Sequence, residues 1–326
     1  MTLAEAAALA ARLRAELHRV IIGQDGPVGE VLTALLAGGH CLVQGVPGLA
    51  KTLLVKTLGD AVAVTVNRIQ FTPDLMPSDV LGTDVVDEDR ATGTRRIRFE
   101  PGPIFANLVL ADEINRTPPR TQAALLEAMQ ERQVTIGGAR RPLPTPFFVM
   151  ATENPIEQEG TYPLPEAQLD RFMLQVVMGY PDAADERRIV AETTTGAVRA
   201  ASQVASGQDL ARAQALVREI AAAPNVIDYA TRLVRATRPG GDGQGPPIVT
   251  SCVRWGAGPR AGQALVLAGK ARAVLDGRPA VSLDDIRQVA APVLRHRVLV
   301  NFQAEADGID AAAVVAQVLD HVPSPA

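Results

Sequence analysis

Residues 44–52 of the chain read Gln-Gly-Val-Pro-Gly-Leu-Ala-Lys-Thr. An apolar run, Cys41-Leu42-Val43, precedes this stretch, and a helix-like segment from Thr52 to Asp60 follows it. A strand, a glycine-rich turn and a helix N-terminus in that order are typical of a phosphate-binding loop. In such a loop, backbone N–H groups and the positive end of the helix dipole converge on an anion. The stretch therefore predicts a nucleotide-binding α/β fold.

Individual residues of the loop have distinct expected roles. Gly45 and Gly48 are expected to permit positive φ and a close approach to a polyphosphate. Lys51 is expected to neutralise the β- and γ-phosphates, and the Thr52 hydroxyl to coordinate Mg²⁺. Ala50 stands where a third glycine is usual, and we interpret it as a tolerated residue in a right-handed first helical turn. The alternative is an ordinary glycine-bearing turn between a strand and a helix.

Composition limits the class of protein. A length of 326 residues suggests about two domains, and 47% hydrophobic with 21% charged residues is ordinary for a protein with sizeable cores. The net charge of −4 argues against a general nucleic-acid binder. The two cysteines and four histidines show no metal-ligand spacing, so no zinc or iron site is expected. No secretory signal and no apolar run of ~18 residues is visible, which predicts a cytoplasmic protein without membrane insertion.

A second motif follows Lys51 by 61 residues. Residues 108–113 read Leu-Val-Leu-Ala-Asp-Glu, an apolar strand that ends in two carboxylates. Parallel strands that are buried on both faces read as continuous apolar runs, and their carboxyl ends face the ligand crevice. Asp112 is expected to hold Mg²⁺, and Glu113 to orient and deprotonate the attacking water. The two carboxylates are weak evidence for a nucleotide site by themselves and strong evidence in combination with the loop.

Other segments are predicted to complete the sheet and to project from it. Ala61 to Ile69 is predicted as the second strand. Residues 79–103 are interpreted as a hairpin insert, with a disordered surface insert as the alternative, and residues 133–146 as a second hairpin. The strand at 147–152 is followed by Asn154. The amide of Asn154 could bind a γ-phosphate, or the residue could simply form the turn before the next proline.

The pattern of the chain changes at residues 181–182. Arg171 lies just before a strand at 173–177, where it is either a solvated charge or an arginine finger that reaches a neighbouring subunit. Beyond residue 182, helical patterns replace the β-rich runs, at 183–195, 208–222, 225–237, 260–276 and 283–295. Arg260 lies near the N-terminus of one of these helices. A cation is mildly unfavourable there, which hints at an anionic partner.

In this order, Gly45–Thr52, Asp112-Glu113, Asn154, Arg171 and Arg260 resemble the AAA+ ATPases. The phrases Ala-Asp-Glu-Ile-Asn-Arg at 111–116, Ala-Thr-Glu-Asn-Pro at 151–155 and Leu-Pro-Glu-Ala-Gln-Leu-Asp-Arg-Phe at 164–172 resemble the MoxR family within that group. The similarity runs across essentially the whole chain, and Ala50 matches this family's version of the loop.

The resemblance implies an α/β fold with two parts. Residues 1–181 would form a P-loop AAA+ core with a parallel sheet sandwiched by helices, and residues 182–326 a C-terminal all-α lid domain. ATP and Mg²⁺ are the implied cofactors, with Thr52 and Asp112 as metal ligands. The implied catalytic residues are Glu113, Asn154 as sensor 1, Arg171 as arginine finger, and Lys51. The implied nucleotide-binding residues are Gly45, Val46, Pro47, Gly48, Leu49, Ala50, Lys51, Thr52, Leu53 and Arg260, the last as sensor 2.

The resemblance also implies an assembly. Such proteins form a homo-oligomeric ring, usually a hexamer, and remodel or mature protein clients, often beside a partner with a von Willebrand factor A domain. We expect the nucleotide to lie between core and lid, with Asn154, Arg260 and a neighbour's Arg171 on the γ-phosphate. Whether Arg260 acts in its own subunit stays open. A nucleic-acid motor that uses Arg140 and Arg141 is the alternative function, and a scaffold that binds ATP without turnover is a third.

Overall fold

The computed structural model describes residues 1–88, 95–154, 160–195, 200–240 and 245–324. The strands are β1 (Cys41–Gln44), β2 (Val66–Gln70), β3 (Gly82–Glu88), β4 (Arg95–Pro101), β5 (Leu108–Asp112), β6 (Gln133–Ile136), β7 (Ala139–Pro142), β8 (Phe148–Glu153), β9 (Leu174–Val177), β10 (Val253–Trp255) and β11 (Leu299–Val300). The helices of the first half are α1 (Leu3–Val20), α2 (Asp25–Leu36), α3 (Lys51–Val62), α4 (Pro77–Leu81), α5 (Pro119–Glu131) and α6 (Glu166–Leu169).

The described residues build a five-stranded sheet in the order β2-β5-β8-β1-β9, and every neighbouring pair is parallel. Its central strands β5 and β8 read largely as apolar runs because both faces are covered. Leu108 and Leu110 of β5 join one buried cluster, whereas Val109 and Ala111 join the other. Since all strands run the same way, their carboxyl ends meet at one edge. The structure therefore confirms the predicted α/β core with a parallel sheet between helices.

Two antiparallel hairpins leave this core. β3 pairs with β4 from Gly82–Pro101 to Glu88–Arg95, and residues 89–94, which include most of the predicted turn, lie outside the described residues. β6 pairs with β7 around Gly137 and Gly138, both of which have positive φ as a tight hairpin turn requires. Both hairpins are therefore present where the alternating sequence predicts them.

The C-terminal part is mainly helical. Its helices are α7 (Ala183–Thr193), α8 (Gly207–Glu219), α9 (Pro224–Ala236), α10 (Pro247–Cys252), α11 (Pro259–Leu275), α12 (Leu283–Leu294), α13 (Phe302–Ala306) and α14 (Ala311–His321). The predicted loop from Pro239 to Pro247 includes residues 241–244, which lie outside the described residues. Among the described helices, none has both the length and the apolar character needed to cross a bilayer.

Two expectations about elements were wrong. The predicted second strand began at Ala61, but Ala61 and Val62 form the last turn of α3 and the strand begins at Val66. β-Branched residues at a helix end mimic a strand start because propensity is a weak signal. The lid is not all-α either, since β10 and β11 pair inside it. Strands of three and two residues are too short to show a period.

Candidate active site

The loop after β1 turns the chain into α3 with two left-handed residues. Gly48 has a φ of +87°, and Ala50, at the N-cap of α3, has a φ of 61°. The expectation that Ala50 joins a right-handed turn was therefore wrong. Gly45 is not in the left-handed region, but a Cβ there would lie 2.8 Å from the carbonyl oxygen of Met178. Of the two glycines, Gly45 serves close packing against the end of β9 and Gly48 supplies positive φ.

The N-terminus of α3 is prepared for an anion. Its N-cap makes no side-chain hydrogen bond, and its first turn holds no acidic residue. The unpaired backbone N–H groups of a first helical turn and the helix dipole then favour a negative ligand. These features fit a nucleotide phosphate at this end of the helix.

Lys51 is the cation of this site. Its Nζ donates a 2.7 Å hydrogen bond to the carbonyl oxygen of Gly45. Burial lowers the pKa of Lys51, while the nearby carboxylates of Asp112 and Glu113 oppose that shift. The ammonium therefore faces both acidic residues and has a neutral carbonyl as its hydrogen-bond partner, so a phosphate is a favourable additional ligand.

Asp112 ends β5 at the carboxyl edge of the sheet, with 8% of its surface exposed. Its Oδ1 accepts a 2.6 Å hydrogen bond from the Thr152 hydroxyl, and its Oδ2 accepts from Nη2 and Nε of Arg68 at 2.7 and 3.1 Å. A carboxylate oxygen and the Thr52 hydroxyl are hard oxygen donors of the kind that Mg²⁺ takes. The residues present therefore fit the expected metal.

Glu113 is held in a left-handed conformation, with a φ of 57°. Its backbone N–H donates to the Thr152 hydroxyl at 2.9 Å. Its carboxylate accepts from Gln70 Nε2 at 2.8 Å and pairs with Arg116 Nε at 3.1 Å. Gln70 and Arg116 thus hold this carboxylate, and the Thr152 hydroxyl links Glu113 to Asp112.

Asn154 follows β8, which lies between β1 and β5 in the sheet. It is buried beside the start of the phosphate loop, since the Gly45 N–H donates to the carbonyl oxygen of Glu153 at 3.4 Å. Burial raises the pKa of Glu153 to about 7. The structure thus places Lys51, Asp112, Glu113 and Asn154 at one edge of the sheet.

Arg171 and Arg260 lie on the opposite side of the sheet, at the amino ends of β1 and β9. Both line a cavity of about 390 Å³ whose wall includes residues 38–40, directly before β1. The Arg260 Nη1 lies 3.7 Å from Asp170 Oδ2. The phosphate loop follows the other end of β1, about 13 Å away at ~3.3 Å per residue. Arg260 therefore lies near the amino end of β1, whereas the phosphate loop of its own chain follows the carboxyl end.

Sequence reasoning assigned no role to four residues that contact the acidic pair: Arg68, Gln70, Arg116 and Thr152. Gln70 is in register with Asp112, and Arg68 lies two residues earlier on the same strand. Both side chains therefore lie near the carboxyl end of β2, beside the acidic pair. Alternation along β2 places Arg68 and Gln70 on one face. This signal becomes usable only when the neighbour of β5 is known, and strand order is not evident from local patterns.

Comparisons with known proteins agree with this geometry. The model of the ATPase family associated with various cellular activities (AAA) matches residues 40–174, and that of the AAA lid domain matches residues 247–318. The chain is 44% identical over 310 residues to Chaperone MoxR1 of Mycobacterium tuberculosis, covering 95% of this chain and 81% of that protein. It is 33% identical over 304 residues to Protein MoxR of Methylorubrum extorquens, covering 89% and 87%.

A solved structure is similar over nearly the full length. The crystal structure of a protein from Cytophaga hutchinsonii, described as an ATPase, superposes with a TM-score of 0.89 at 38% identity and covers 99% of this chain and 98% of the other. The chain therefore belongs to the MoxR family of AAA+ ATPases.

Proposed function

We propose that this ATPase is Mg²⁺-dependent, that its active site forms between neighbouring copies in a ring, and that the ring remodels protein clients in the cytoplasm. The observation that carries the proposal is the separation of Lys51 from Arg171 and Arg260 across the parallel sheet. Both arginines line a cavity beside the amino end of β1, whereas the loop of the same chain follows its carboxyl end. A head-to-tail contact would bring one copy's arginines to the next copy's loop, and such contacts close into rings.

Each residue then has a role at the shared site. Lys51 and the first turn of α3 bind the phosphates, and Thr52 and Asp112 would hold Mg²⁺, which supplies neutralisation of charge between the β- and γ-phosphates. Glu113 orients and deprotonates the attacking water once Gln70 and Arg116 release its carboxylate. Asn154 binds the γ-phosphate side of the site. Arg171 and Arg260 of the neighbouring copy stabilise the charge that develops on transfer.

Client remodelling is supported by the first hairpin. Val86 and Ile97 are directly opposed across β3 and β4, and their side chains are 65% and 76% exposed. An exposed apolar pair on a projecting ribbon is suited to contact with unfolded protein. A partner with a von Willebrand factor A domain and a ring of six copies belong to the same proposal.

The contacts of the second hairpin count against the nucleic-acid alternative. The Arg141 guanidinium lies 3.8 Å from the centre of the Phe99 ring, and its Nη2 is 3.4 Å from Asp84 Oδ1. Arg141 therefore joins the two hairpins and is not directed toward a phosphate backbone.

The dependence of activity on concentration tests the shared site. ATP hydrolysis per subunit should rise with protein concentration and level off as assembly completes, with light scattering giving the ring size. Glu113→Gln should assemble equally but lose hydrolysis. A rate per subunit that stays constant down to concentrations at which the protein is monomeric would contradict the proposal.

Client remodelling has a separate test. With ATP, the wild type should reduce the aggregation of a heat-denatured test protein, whereas Val86→Ser/Ile97→Ser should lose this effect and retain ATP hydrolysis. Equal protection by this double variant would exclude the hairpin as the client contact.

A further inference from the structure

The turn after α12 contacts the segment that carries Arg171. Arg297 is 7% exposed, and its guanidinium donates to Asp170 Oδ1 at 2.7 Å and to the carbonyl oxygens of Phe172 and Met173 at 2.6 and 3.1 Å. The neighbouring His296 Nε2 lies 3.1 Å from the same Phe172 oxygen. Two consecutive side chains of the C-terminal part therefore contact residues 170–173 of the core.

Asp170 connects this contact to the arginines that face the neighbouring copy. Its Oδ1 accepts from Arg297, and its Oδ2 lies 3.7 Å from the Arg260 Nη1. Arg171 is the next residue along the chain, and its Nε is buried without a hydrogen-bond partner. One buried guanidinium thus fixes the backbone on both sides of Arg171 and the carboxylate that contacts Arg260.

Attachment of the C-terminal part does not require this contact. Val289, Val293 and Leu294 of α12 share one apolar cluster with Leu174 and Val176 of β9. Apolar burial of that extent already holds helix and sheet together. The planar fork of a guanidinium, with five donors, is needed only to hold several carbonyl groups and a carboxylate in one geometry.

We propose that Arg297 is a positioning residue for Arg171 and Arg260. It locks residues 170–173 to the C-terminal helices, so that both arginines are presented to the neighbouring active site as one rigid unit. The inference rests on the proposed function, in which these arginines act on a neighbour's ATP. A lysine would keep the charge but reach fewer acceptors, so Arg297→Lys should loosen the segment without leaving a buried cavity of full side-chain size.

The test compares Arg297→Lys with a control variant, Arg278→Gln. Arg278 also binds a buried carboxylate, with its Nη1 2.7 Å from Asp285 Oδ2. Its contacts, however, stay inside the C-terminal part. Arg297→Lys should bind a fluorescent ATP analogue within about twofold of wild type and hydrolyse ATP at least ~10-fold more slowly, because small misplacements of catalytic groups are costly. Arg278→Gln should lose stability but keep its turnover per folded subunit.

Mixing identifies which active site is affected. Arg297→Lys should regain activity with Lys51→Ala, which supplies intact arginines, but not with Arg171→Ala. Wild-type turnover in Arg297→Lys would overturn the proposal. It would also be overturned if Lys51→Ala rescued Arg171→Ala but not Arg297→Lys, since Arg297 would then serve its own site. If Lys51→Ala rescued neither variant, the proposed shared site itself would be wrong. Equal turnover defects in Arg297→Lys and Arg171→Ala would still show that Arg297 acts by positioning Arg171 and not through stability.

Discussion

Arg68 Nη2 donates a 2.7 Å hydrogen bond to Oδ2 of Asp112, the carboxylate expected to hold the metal. The other carboxylate oxygen accepts from Thr152. A fixed positive charge therefore lies where a metal cation or its water would approach. Arg68 balances the charge of the buried Asp112 carboxylate and opposes a second cation there by like-charge repulsion.

Arg68→Gln should therefore lower the Mg²⁺ concentration needed for half-maximal ATP hydrolysis. The amide keeps a hydrogen bond to Asp112 but removes the positive charge. Titration of hydrolysis with Mg²⁺ at constant ionic strength measures the effect, with Arg98→Gln on the first hairpin as a control for net charge. A higher Mg²⁺ requirement would show that Arg68 supports the metal and does not compete with it.

Thr152 links the two acidic residues through one hydroxyl group. Thr152→Val keeps the shape but leaves the Glu113 N–H and Asp112 Oδ1 without this partner, which costs about 1–3 kcal/mol per buried group. We expect a fall in turnover of ~10-fold or more and a lower free energy of unfolding. Thr152→Ser keeps the hydroxyl and should retain most of the activity. Full turnover in the valine variant would remove Thr152 from the site.

Ala50 stores backbone strain in the phosphate loop. A left-handed alanine costs roughly 1–2 kcal/mol, which exceeds the entropic cost of glycine. Ala50→Gly should therefore raise the free energy of unfolding in urea by about 0.5–1 kcal/mol. Ala63, with a φ of 53° at the other end of α3, offers a matched site where Ala63→Gly should give a similar gain.

Gly48→Ala is the opposite control. A Cβ at Gly48 would meet no atom within 4 Å, so its loss of stability would report the φ of +87° alone. A stabilising Gly48→Ala, or a destabilising Ala50→Gly, would contradict the left-handed assignments.

Glu153 predicts a specific dependence of stability on pH. Burial raises its pKa from 4.5 to about 7, so the folded protein holds this proton where the unfolded chain has lost it. The contribution of Glu153 to the free energy of unfolding is therefore constant below pH 4.5. It falls as the pH rises to 7, by at most about 3 kcal/mol. Glu153→Gln should remove this dependence and unfold at a higher temperature than wild type at pH 8. Parallel stability curves for the two proteins would rule out a raised pKa.

Much of the fold could be predicted from local patterns. Apolar runs such as 108–112 predicted central strands, and Gly137-Gly138 predicted a hairpin turn, because periodicity and turn chemistry are local properties. The loop and the acidic pair were found the same way. The position of Arg260 could not be predicted, since it depends on how α11 packs against the core many residues away. Strand order likewise determines why Gln70 contacts Glu113, and β2 and β5 are separated by the first hairpin.

The shared active site is tested most directly by mixing Lys51→Ala with Arg171→Ala, each inactive alone. In a mixed ring, an intact loop from an Arg171→Ala copy meets an intact arginine from a Lys51→Ala copy. Random assembly at equal amounts should restore up to about one quarter of the wild-type rate, because half of the loops and half of the arginines are intact. A mixture that assembles but stays inactive would contradict hydrolysis between neighbouring copies.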